Sequence, residues 1–548
     1  MGPLALLPCS MPFQYPSLLT SNEEEIAMKY QTGLSLRLLA ALLASAALFP
    51  AAAIAAQTEL RVGAASADIG NLDPHFASST SDRTLVAWIY GGLVRFAPGS
   101  TDPATIEGDL AESWEASGDN LVWTFKLNPG VQWQHGYGEV TADDVVFSLQ
   151  KSADPKRSAF ATDYKAIKSV EAVDTHTVRI TLANAVPSLL GLLTNYSGGF
   201  IISKKAYEER GENFTRNPVG FGPFQFESVD PGVAVNLVSH KAYYRGAPKI
   251  EKVTYRFLNA AAGRDLAFTA GEIDVAAGTT DQRWLQRMKE MPGAKIDIFD
   301  PAELTVVHLN RNQKPFDDIR VRQAIAHAIN PGEIAQFRGA DFTRVAKSVI
   351  PSNNLGLNAE VGLLPHDLEK AKALLAEAGY PDGLTVKMIS SQMPSYATTD
   401  QLLQAQLAKA GITLKLEPVE HATWHQMIRK DLSPLVDYGA ARFPVADTYL
   451  TQFYHSKSGI GEPGQVTNFS HCAVADAQIE AARTEADPKK QIELWQEAQK
   501  LIVADVCGVP VTETGQVWIR KDTLDWGFEL KGSMSLGPLL TEQSHFTE

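Results

Sequence analysis

Two stretches in the second half of the chain share one design. Residues 368–378 and 401–410 each read as a helix, each closes on a glycine, Gly379 or Gly411, and each leads into a strand-like run, 385–389 or 413–417. Glycine just past a last helical turn adopts the left-handed conformation that ends a helix without a Cβ clash. Repeated helix–glycine–strand units pack as α/β layers, and that fixes the class of this half. The first half reads differently. Residues 59–63 alternate as a strand, and 121–127 form another, stopped by Asn128-Pro129-Gly130. Hairpins are spelled by 170–173 with 177–182 and by 225–229 with 233–238. Thr141 with Asp143 and Asp144 opens a helix over 145–151. The expected fold class is α/β, with a mixed, sheet-rich first half.

The chain has 548 residues, more than one core holds, so two or three folding units are expected. Its net charge is −14, which gives no long-range pull on phosphate backbones or anionic membranes and argues against nucleic-acid binding. Residues 34–56 are apolar except for Ser35, Arg37 and Ser45, follow Lys29, and end on small residues near Ala53-Ile54-Ala55-Ala56. That is the pattern of a cleaved secretory signal. Its greasy part, 38–49, falls short of the roughly 20 residues that span a bilayer. Met28 reads as the true start, residues 1–27 as a non-native extension and 28–55 as the signal peptide. Cys9 lies in that extension and lacks a lipid-attachment context. The mature chain is expected to be exported to the periplasm, without membrane insertion.

Export leaves two cysteines, Cys472 and Cys507. Between them run two helix-forming segments, 475–483 and 491–503, separated by Asp487-Pro488, which caps and starts the second. A short turn makes them an antiparallel hairpin, bringing its two ends together. In an oxidising compartment a Cys472–Cys507 disulfide is expected at that base.

Several segments in order resemble the large dipeptide, oligopeptide and nickel-binding family of ABC-importer solute-binding proteins. They are Leu72-Asp73-Pro74, Tyr90-Gly91-Gly92-Leu93-Val94, Leu110-Ala111-Glu112-Ser113-Trp114, Asn217-Pro218-Val219-Gly220 with Gly222-Pro223-Phe224, Ala270-Gly271-Glu272-Ile273-Asp274 and Pro315-Phe316-Asp317-Asp318-Ile319-Arg320. Phe221 stands where that family carries threonine. The likeness covers nearly the whole mature chain. It implies a two-lobed clamshell that closes on a solute. Domain I would comprise 56–308 and 511–548, with a subdomain near 105–220, and domain II 309–510. It implies a monomer that hands a small-molecule or short-peptide-like solute to ABC permease subunits and their ATPases, with no cofactor.

The segment from Tyr438 to Leu450 resembles the family stretch in which peptide-binding members place an aspartate against the peptide's α-amino group. Here that position is Arg442, a reversal of charge that suits a carboxylate or phosphate. The resemblance adds Phe443 and Asp447, and from two other cleft segments Ser78, Ser79, Gln392 and Tyr396, as ligand-binding residues. An anionic solute or a modified peptide follows. Alternatives are a metal-chelate or haem carrier, and a periplasmic hydrolase. His421 and His425 have helical spacing but lack the glutamate of H-E-x-x-H, so they read as exposed helical histidines rather than metal ligands. His75 reads as structural. No G-x-S-x-G and no phosphate-binding P-loop occur, so neither hydrolysis nor ATP turnover has a motif.

Overall fold

The computed structural model describes residues 57–547 apart from 187, 195, 462–466 and 486. The expected signal segment, the 1–27 extension and Cys9 therefore lie outside the described residues. The strand Glu59–Ala64 lies between Lys252–Phe257 and Val275–Ala277, parallel to both. Antiparallel strands extend the sheet on one side through Ala234–Ser239 to Phe224–Asp230. On the other side come Gly508–Lys521, Ala294–Leu309 and Leu435–Ala440.

Two of these strands are long. Ala294–Leu309 and Gly508–Lys521 pair antiparallel along almost their whole length, with a break in register between Phe299 and Glu303. Before the break they flank the strands of the first half of the chain. After it they carry Leu435–Ala440 and the helices of the second half. Each half has its own core: Trp88, Phe125 and Tyr255 are buried in the first, Trp424, Phe453 and Trp495 in the second. The fold is a two-lobed α/β clamshell whose lobes share one sheet.

The first lobe carries an additional antiparallel sheet, Ala111–Ala116, Val122–Leu127, Thr177–Leu182 and Ile167–Asp174, covered by the helix Ala142–Ala153. Thr141 and Asp144 form a reciprocal capping box at that helix start. In the second lobe Leu384–Ser391 and Ile412–Val419 pair in parallel, as the helix–glycine–strand units require. Gly379 and Gly411 take φ of +95° and +87°, which a Cβ would strain. One helix differs from expectation. It runs Pro394–Lys409, seven residues earlier than the expected 401, with proline in its first turn. Tyr396 therefore lies in the first turn of that helix.

Two sequence motifs act as fasteners. Asp274 is fully buried and takes Arg61 at 2.9 and 2.7 Å and Lys521 at 2.7 Å, tying the first strand to the last long one. Burial alone would raise its carboxyl, but these donors outweigh it and hold the carboxyl below the usual range. At the other motif, a Cβ on Gly220 would sit 2.0 Å from the Ile89 carbonyl oxygen. Gln134 Nε2 donates to the carbonyls of Ile89, Gly222 and Phe224 there. Phe221 fills the threonine position as a buried ring, edge-on to Trp133.

The Cys472–Cys507 disulfide joins the start of the helix Asp476–Thr484 to the end of Pro488–Ala504, with Cα atoms 5.7 Å apart. Both cysteines are fully buried. Among the described residues no helix is long and apolar enough to cross a membrane.

Candidate functional site

The strand Leu435–Ala440 leads into a turn that meets the first lobe, where Phe443 packs on Phe96. Arg442 sits on that turn. Its backbone N–H donates to Tyr449 Oη at 3.0 Å, and that hydroxyl donates to the Ala440 carbonyl at 2.9 Å, so one tyrosine fixes the turn. The guanidinium Nε donates to Gln452 Oε1 at 2.8 Å and Nη1 to the Ala441 carbonyl at 3.0 Å, while the group rides over the Phe453 ring. All of these partners are neutral. Among the described residues no carboxylate lies within 4.0 Å of Arg442. Arg442 is thus a half-buried guanidinium with no ion pair in contact, although Asp163 and Glu303 lie within its electrostatic reach.

Facing it from the first lobe are Asp163 and Tyr196. Asp163 keeps an exposed side chain, yet the walls around it withhold enough water to push its carboxyl up to about 6, against the pull of Arg442. Tyr196 packs on the second lobe's core and carries the Arg83 guanidinium over its ring at 5.4 Å.

Glu303, at the register break of the long strand, lies over Gly439, where a Cβ would come 2.3 Å from its Oε1. Burial pushes its carboxyl up, against Arg338 and Arg442. Tyr396 Oη accepts from the Gly439 N–H at 3.2 Å beside it. Asp400 and Asp437 are both buried, and burial first, then the charge of Asp437, pushes the Asp400 carboxyl up.

The other residues read from the sequence occupy varied positions. Phe443 is buried against Phe96 of the first lobe, with ring centroids 5.7 Å apart. A Cβ on Gly191 would meet its ring at 2.0 Å, so that glycine makes room for a cross-lobe contact. Asp447 receives Arg483 Nε at 3.0 Å in the first turn of the helix Ala446–Tyr454. Ser79 caps the helix Thr80–Ile89 by accepting from the Asp82 N–H, and Ser78 beside it is exposed. Gln392 has an exposed side chain, and its backbone N–H donates to the Val419 carbonyl. His75 is fully buried beside Lys151 and Ser152, with Nε2 at 2.9 Å from the Phe200 carbonyl oxygen.

One expectation is corrected. His421 and His425 are half-buried, not exposed, with ring centroids 4.6 Å apart. Trp424 between them is a core residue and draws this helix face onto Tyr396 and Tyr438. Burial lowers both histidines, His425 to about 4. Among the described residues no group of three or more His, Cys, Asp and Glu could hold a metal.

Sequence reasoning missed Glu303, Asp163 and Tyr196. For Glu303 a signal existed: Asp300-Pro301 breaks the alternation of the strand just before it. Asp163 and Tyr196 had none, because only the packing of one lobe on the other brings them near Arg442.

A family model described as bacterial extracellular solute-binding proteins, family 5, matches residues 105–461. Heme-binding protein A of Haemophilus influenzae is 30% identical, covering 82% of this chain and 86% of its own. The probable D,D-dipeptide-binding periplasmic protein DdpA of Escherichia coli is 29% identical, covering 84% and 90%. Among solved structures, the binding protein MoaA from A. tumefaciens R10, in complex with mannopinic acid, is 63% identical. It covers 90% of this chain and all of its own, with a TM-score of 0.83.

Proposed function

The chain belongs to family 5 of the bacterial extracellular solute-binding proteins, and from that premise we propose that it captures a small organic acid of the mannopinic kind for an ABC importer of the peptide and opine type. The observation that carries the ligand class is Arg442: a charged, half-buried group where the lobes meet, whose partners in contact are all neutral. A solute carboxylate supplies the missing counter-charge through paired N–H donors. Free-amine peptides lack their aspartate at this position and meet a like charge there. Identity of 63% with a receptor crystallised with mannopinic acid supports the same class. A haem carrier is the second reading, supported by a relative at 30% identity.

In this reading the solute is bound without turnover, in the periplasm, after removal of a signal peptide. Domain I comprises 56–308 and 511–548 and domain II 309–510, with the two long strands as the hinge. Closure on the solute brings Phe443 against Phe96 and Asp163 towards Arg442.

Titration calorimetry with mannopinic acid, unmodified di- and tripeptides and haem tests the ligand class. Mannopinic acid should bind tightest and be recovered unchanged. Tighter binding of free-amine peptides or of haem would reject the acid reading. Small-angle scattering should show a smaller radius when the protein is saturated, and an unchanged radius would reject hinge closure.

A further inference from the structure

We propose that the crevice between the lobes is built for a zwitterion: Glu303 receives a protonated amine on the same solute whose acid group meets Arg442. This deepens the reading of an acidic solute and rests on it. Glu303 is half-buried, and among the described residues it accepts no hydrogen bond and has no cation within 4.0 Å. An ionised carboxylate in such a place is costly unless a partner arrives.

The groups facing it define what that partner is. Arg338, at the end of the helix Pro331–Arg338, and Arg442 are within electrostatic reach but form no ion pair with it. Arg442 is held back by its bonds to Gln452 and the Ala441 carbonyl. Glu303 is held by its seat over Gly439, the residue type that leaves room for its carboxylate. Tyr396 stands beside it with its hydroxyl turned to the Gly439 N–H. Asp437, on the neighbouring strand, is occupied with Asp400. Two opposite charges thus lie within reach of each other without forming an ion pair. The arrangement is a fixed dipole, and a ligand completes it by presenting the reverse one. The amine-binding acid absent at position 442 is supplied from the hinge strand instead.

Calorimetry with two probes of matched size tests this. N-butylalanine carries an ammonium and a carboxylate, and N-butanoylalanine carries the carboxylate alone. Wild-type protein should prefer the first at least tenfold. Glu303→Gln should abolish the preference, because the first probe loses its partner and the second is not weakened. Gly439→Ala, which fills the seat under the carboxylate, should erode it as well. Thermal melts establish that each variant is folded. Equal binding of both probes by the wild type, or a preference that survives in Glu303→Gln, overturns the proposal. Should neither small probe bind, mannopinic acid decides: it should lose at least tenfold on Glu303→Gln, and a smaller change overturns the proposal. A charge preference without mannopinic acid binding would remove the mannopinic reading and leave the zwitterionic crevice standing. No binding of any of the three compounds by the wild type would overturn both.

Discussion

Asp274, just before a strand of the shared sheet, and Glu303, within one, are both carboxylates, and their surroundings are opposite. Asp274 has two cations in contact, Arg61 and Lys521, and its carboxyl is held below the usual range. Glu303 has none in contact and its carboxyl is pushed up. The same contrast separates Arg61, ion-paired to Asp274 at 2.7 Å, from Arg442, whose partners are neutral. Where charge fastens the chain to itself, the fold completes it. Arg442 and Glu303 form no such ion pair, and in the proposed reading a solute completes them. Removing a fastening charge should therefore cost stability, and removing a crevice charge should cost binding.

The largest expected effect is on the covalent fastener of the second lobe. Replacing Cys472 and Cys507 together by alanine opens a loop of 35 residues and should cost about 3.5 kcal/mol of stability. Denaturant unfolding measures this, and retained affinity for the acid solute would keep fastening and binding separate.

Asp274→Ala should come next, at about 3 kcal/mol, because it strands two cations at once. Its carboxyl is depressed in the folded state, so its contribution is present above the unfolded value near about 4 and is lost as pH falls through the lower folded value. The difference in melting temperature between wild type and variant should shrink below about pH 4. A constant difference would show that packing, not charge, is lost.

Arg442→Ala should cost the acid solute about 2 kcal/mol or more of binding, seen by calorimetry, and leave thermal stability nearly unchanged. Loss of stability equal to that of Asp274→Ala would erase the distinction between the two regions.

The smallest effect is expected at Asp400. Its carboxyl is raised in the folded state, so its contribution is full below the unfolded value and declines as pH rises towards the folded one. Asp400→Asn removes that decline, so its stability relative to wild type should rise as pH increases from about 4 to about 8. A pH-independent difference between the two proteins would show that the Asp400 carboxyl is not raised by its surroundings.

Much of the frame was legible from residue order alone. The glycines Gly379 and Gly411 end helices where expected, and the hairpin between Cys472 and Cys507 brings them into a bond. These features depend on residues close in sequence, or on a hairpin whose ends must meet. The Pro394 helix start was misread because Pro394-Ser395-Tyr396 is equally good turn chemistry, and only packing on Trp424 selects the helix. His421 and His425 were misread for a related reason: helical spacing says which face they share, not what covers that face.

The sequence by itself determined the α/β layers and the hairpin that joins Cys472 to Cys507, since each follows from local pattern, and it places an arginine at position 442. Only the tertiary structure decided which charges are satisfied. Arg61 meets Asp274 across 213 residues, while Arg442 and Glu303 share a space and remain apart. Whether a charge is paired depends on distances of a few ångströms between segments far apart in the chain, because Coulomb attraction and desolvation both act through space. Residue order holds the charges, and the packing of the two lobes decides which of them are paired within the chain.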